Sequence, residues 1–62
     1  MDIMKALEQA IAHEKEAADQ YREMARQAED IETRFILEQI AQEEDKHREA
    51  LIKRLNTLRL MR

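Results

Sequence analysis

Sixty-two residues, 44% of them hydrophobic and 40% charged, with a formal net charge of −3, describe one small unit. A chain this short buries a poor core alone and ordinarily needs a disulfide, a metal or a partner. It has no Cys, which excludes disulfides, thiolate zinc sites and iron–sulfur clusters, and its acidic balance argues against nucleic acid as the main partner. The chain also lacks Gly and Pro and has only one Tyr and one Phe, a composition suited to long helices and an all-α fold. Met1-Asp2-Ile3-Met4-Lys5 is not the apolar run of a signal peptide, and no stretch is apolar enough to span a membrane. The absence of Cys fits a reducing compartment, so the expected location is cytoplasmic, with no membrane contact.

Asp2 is the predicted N-cap of the first helix. From there a stripe runs Ile3, Leu7, Ala10, Glu14, Ala17, Tyr21, Met24, Ala28 in steps of four and three, the spacing of a helix face turned to a core. A flanking row, Met4, Ile11, Ala18, Ala25, repeats every seven. Together they make an apolar face too wide for one neighbouring helix, while Glu8, Lys15, Asp19, Arg22, Arg26 and Glu29 are expected on the solvated side. Glu14 interrupts the stripe between two alanines, which leave room for a carboxylate and something bound to it. No breaker residue follows Gln27, but Asp30, followed by Glu32 and Thr33, is a good N-cap, so the turn is placed at about Glu29–Ile31, with a continuous helix through this point as the competing reading. This predicts one unit over residues 1–62: an antiparallel hairpin with helix 1 at about 2–29 and helix 2 at about 31–60.

Helix 2 carries its own stripe: Leu37, Ile40, Glu44, His47, Leu51, Leu55, Leu58. A Glu and a His three residues apart lie about one turn from each other on the same side and can reach one cation. Glu-x-x-His alone is a weak signal, but here it occupies positions where Leu or Ile belongs. Burying charge without a partner costs several kcal/mol, and a bound cation is the simplest compensation. The basic end, with Lys53, Arg54, Arg59 and Arg62, matches the helix C-terminal dipole and could alternatively dock an acidic partner.

With the turn near Asp30, Glu14 is about sixteen residues before it and Glu44 about fourteen after it, each roughly 21–24 Å away at 1.5 Å per residue. The two carboxylates therefore sit at one level, with His47 one turn further along. Two hairpins related by a two-fold through their midpoints would close a ferritin-like four-helix bundle whose centre holds two Glu14, two Glu44 and two His47. That is the di-iron or di-manganese carboxylate pattern, one Glu from each of two helices and Glu-x-x-His from each of the others, and this chain can build it only as a homodimer or a higher assembly of dimers. Carboxylate and imidazole donors suit Fe or Mn, and zinc also accepts them.

Glu14-Lys15-Glu16-Ala17-Ala18-Asp19-Gln20-Tyr21, with Glu44-Asp45-Lys46-His47 thirty residues after Glu14, resembles the ferritin-like superfamily, most closely encapsulated ferritins and one half of rubrerythrin. The resemblance runs from about Leu7 to Leu55. It implies that Glu14, Glu44 and His47 are both metal ligands and catalytic residues of a di-iron ferroxidase, with Tyr21 packing or hydrogen-bonding beside them. It also implies a weaker accessory metal site at His13 and Glu16, where the His departs from the family's acidic residue, and an encapsulin-type shell as a further partner and compartment. The Cys-rich electron-donating domain of rubrerythrin has no counterpart in a chain without Cys, so a self-sufficient peroxide reductase is not expected. The alternatives are a metal-binding protein without turnover and a metal-free hairpin dimer serving as an interaction module, its seam carboxylates paired with Lys or Arg.

Overall fold

Two N-caps divide the chain. In the computed structural model, which describes residues 1–61, Asp2 is extended and its carboxylate accepts hydrogen bonds from the backbone N–H groups of Met4 and Lys5. This starts α1, Ile3–Gln27. Asp30 is likewise extended and accepts from the Thr33 N–H at 2.8 Å, starting α2, Ile31–Leu60. These contacts satisfy donors that a helix N-terminus leaves without intrahelical partners. Between the helices Ala28 is extended, with φ −69° and ψ 130°. The described residues contain no positive φ, so the reversal needs no Gly. Arg34 reaches back from α2 and donates to the Ala28 carbonyl at 2.9 Å, tying the end of α1 to the start of α2. Helix 1 is one or two residues shorter at each end than its expected span of about 2–29, because both flanking residues take extended cap geometry.

The result is the expected all-α antiparallel hairpin, a rod of 49 × 16 × 13 Å. Its radius of gyration is 14.5 Å, against roughly 11 Å for a compact domain of this length. It exposes 5024 Å², more than the roughly 4,200 Å² typical of a folded monomer of its mass. Among the described residues only Ala18, Ala25, Ala41 and Leu55 are buried.

Those four reveal how the two apolar rows divide the work. The flanking row Met4, Ile11, Ala18, Ala25 faces α2, and it meets Ala41, Arg48 and Leu55, which also repeat every seven. The stripe of larger residues through Glu14 lies at the edge of this seam, with Ile3 and Met24 about half exposed. Small alanines at the contact let the two backbones approach closely, and bulkier side chains are displaced to the flank. Each helix therefore directs one row at its neighbour and leaves a second, adjacent row open on the same side of the hairpin.

Candidate metal centre

Glu14 on α1 and Glu44 and His47 on α2 converge near the middle of the rod. One potential ligand atom from each lies within 4.8 Å of the others. His47 Nδ1 is 3.3 Å from Glu14 Oε2 and 3.3 Å from Glu44 Oε1. The carboxylates are largely covered, with 25% and 21% of their side chains exposed, whereas His47 is 61% exposed. Glu14 Oε2 is buried, and its approach to His47 is not aligned as a hydrogen bond, so it has no donor. Such an acceptor is costly unless something cationic binds it.

This donor set fits a divalent cation: two carboxylates and one imidazole converge, and one covered oxygen lacks a partner. The three side chains come from two helices and meet only because the turn places residues 14 and 44 at one level. They sit on the boundary between the hairpin seam and its open face. His13 and Glu16 are exposed and lie outside the cluster. Tyr21 is half-buried, two turns along α1 from Glu14 on the same face.

The opposite edge of the seam has a different character. Arg22 donates to Asp45 across the helices, and Arg59 donates to Glu8 at 3.1 Å near the open end of the hairpin. Lys15 pairs with Asp19 along α1 at 2.9 Å. The Lys15 ammonium lowers the Asp19 carboxyl below its ordinary value, helped by the Arg22 and Arg48 charges. The bond to Asp45 raises Arg22 above the usual guanidinium range. Arg48 is half-buried in the seam, and its Nε has no hydrogen-bond partner. Its stem fills the seven-residue slot between Ala41 and Leu55 while its charge acts on Asp19.

By spacing, Arg22 and Glu8 belong to the solvated side of α1 and Arg59 to the basic end that matches the helix dipole. In the structure both pairs cross the seam. Arg48 was not singled out at all, though its spacing from Ala41 and Leu55 was a usable signal. Arg62, counted with the basic end, lies outside the described residues.

A family model described as Rubrerythrin covers residues 5–62, nearly the whole chain and all three converging side chains. No curated protein and no solved structure matches. The chain belongs to the rubrerythrin family.

Proposed function

We propose that this protein is a di-iron carboxylate ferroxidase that oxidises Fe(II) to Fe(III) at a site shared by two hairpins. The observation that carries the reading is the convergence of Glu14, Glu44 and His47 within 4.8 Å on an open apolar face. Family membership points the same way. A single hairpin offers three ligands and leaves His47 mostly exposed. A second hairpin on that face would double the set to four carboxylates and two imidazoles and cover Ile3, Met24 and Ile36, which are 54%, 44% and 55% exposed. The surface in excess of a compact monomer's supports such a partner.

Glu14 and Glu44 would hold the ions and, through their negative charge, favour Fe(III) over Fe(II). His47 adds a neutral donor, which keeps the total charge moderate. The small Ala10 and Ala17 beside Glu14 leave its carboxylate room to shift as the ions change charge. The reaction moves two electrons, one from each of two Fe(II) ions, to one oxidant. With H₂O₂, two protons are taken up and two waters form; with O₂, two protons are taken up and H₂O₂ forms. Paired delivery avoids releasing a one-electron radical. Mn(II) and Zn(II) would compete for the same donors. A bundle of this size encloses no storage cavity, so little ferric mineral should stay with the protein. No described helix is long and apolar enough to cross a membrane. A cytoplasmic setting or enclosure in an encapsulin-type shell is compatible with this reading.

The test joins binding with turnover. Calorimetric titration with Mn(II) should give two ions per dimer in wild type and none in His47→Ala. Anaerobic Fe(II) loading followed by O₂ or H₂O₂ in a stopped flow should show ferric absorbance growing faster than in buffer. The acceleration should vanish in His47→Ala and survive in Tyr21→Phe. Equal rates for wild type, His47→Ala and buffer would refute ferroxidase activity. Unchanged Mn(II) binding in a Glu14→Ala/Glu44→Ala double variant would refute the site.

A further inference from the structure

Apart from Met1 and Met61 at the ends of the chain, three exposed large apolar side chains belong neither to the hairpin seam nor to the proposed bundle. Ile31 is 80% exposed, Phe35 58% and Leu60 87%. Phe35 lies nine residues before Glu44, which at 3.6 residues per turn is about two and a half turns, so it points directly away from the ligand face. Ile31 and Leu60, thirteen and sixteen residues from Glu44, fall within about 40° of Phe35 around the helix. A second hairpin docked over Glu14 and Glu44 cannot reach any of them. The corresponding outer face of α1 carries Gln9, Glu16, Gln20 and Glu23 and no large apolar residue, so the feature is specific to α2.

Between these apolar ends the same face of α2 carries Glu38, Gln42, Glu49 and Lys53. This order is self-complementary when read against itself in reverse. In an antiparallel α2–α2 contact across a two-fold axis between Asp45 and Lys46, Ile31 meets Leu60, Phe35 meets Asn56, Glu38 meets Lys53 and Gln42 meets Glu49, each twice. Lys46 falls beside the axis, within a turn of Gln42 and Glu49. Apolar ends and one charge pair on each side of the axis are what an isologous interface requires.

We propose that the outer face of α2 is a second self-association surface, on which another copy of this chain docks antiparallel through Ile31, Phe35 and Leu60 with Glu38 against Lys53. It is distinct from the face that carries Glu14, Glu44 and His47. With both faces in use, hairpins link through two different two-folds, and the assembly exceeds a dimer.

Light scattering coupled to size exclusion at tens of micromolar tests this. Wild type should have a mass above that of a dimer, and Phe35→Ser should reduce it to a dimer that still takes up Mn(II). A wild-type dimer that becomes a monomer in Phe35→Ser would also uphold the outer-face contact, while counting against the bundle. An unchanged mass in Phe35→Ser would overturn the proposal. Charge reversal provides a check at exposed positions that do not threaten the fold. Glu38→Lys should lower the mass and Glu38→Lys/Lys53→Glu should restore it. Loss without restoration would overturn this pairing, and points instead to a different chain on the patch.

Discussion

On the proposed reading the metal centre should make the protein less stable empty and more stable filled, and Glu44→Gln should separate those two effects. In the hairpin the Glu14 and Glu44 carboxylates bring oxygens within 4.8 Å of one another, both mostly covered. At an effective dielectric between those of water and a protein surface site, that repulsion is roughly 1–3 kcal/mol. Replacing Glu44 by the isosteric amide removes one of the charges, so the metal-free variant should melt at or above metal-free wild type. Cation binding reverses the order. A ligand that binds only the folded form at one hundred times its Kd adds about 2.7 kcal/mol, and for a domain of this size each kcal/mol moves Tm by about 4–8 °C. Wild type should therefore gain roughly 10–20 °C with saturating Mn(II), and Glu44→Gln almost nothing. Circular dichroism melts of the two proteins, with chelator and with Mn(II), give all four values. A Glu44→Gln variant that melts lower without metal, or that keeps the Mn(II) shift, would refute the view that these carboxylates are held for a cation.

Leu55 is the one large side chain among the buried residues, 5% exposed where α2 meets the start of α1. Leu55→Ala should cost about 2–5 kcal/mol in urea unfolding, and Leu60→Ala, on the exposed outer face, far less in the folded hairpin. Asp30 is held below its ordinary carboxylate value by hydrogen bonds from Thr33, so its contribution is complete above about pH 4 and is lost as pH falls through the lowered folded value. Asp30→Asn should flatten part of the acid-unfolding limb seen by helicity, with Asp19 and Glu23, both lowered by neighbouring cations, still contributing the rest. A limb unchanged in Asp30→Asn would show that the cap does not set acid stability.

The features legible in the sequence are those set by spacing along one helix. Steps of three and four, the caps at Asp2 and Asp30 and the distances of Glu14 and Glu44 from the turn are enough for a hairpin with three ligand-type residues at one level. Which of two adjacent rows meets the other helix was not legible from spacing alone. The row with larger side chains reads as the seam, yet Ala18, Ala25 and Ala41 take it, because close helix approach favours small residues where backbones are nearest. Cross-helix pairing was equally hidden. Whether Arg22 reaches Asp45 depends on the register and rotation of two helices, which neither helix specifies alone. Arg48 shows the same limit: a charged residue in a core row is recognised only once the row is known to be core.

The cross-helix pairs leave Glu14, Glu44 and His47 at the edge that the proposed partner would cover. One edge of the seam is bridged by Arg22–Asp45 and Arg59–Glu8, charged groups well served by water. A second hairpin docking there would have to desolvate them. Among the described residues the other edge has no such Arg–carboxylate pair; it carries Glu14, Glu44 and His47, with Tyr21 on the same face. Covering that edge without a cation would bury two carboxylates per chain, so an empty site opposes association through this face and a filled one favours it. Assembly and metal uptake would then be linked, and each should strengthen the other by the same factor. On the proposed reading His47, 61% exposed in one hairpin, would be covered only when a second hairpin docks, so that ion and partner would arrive together.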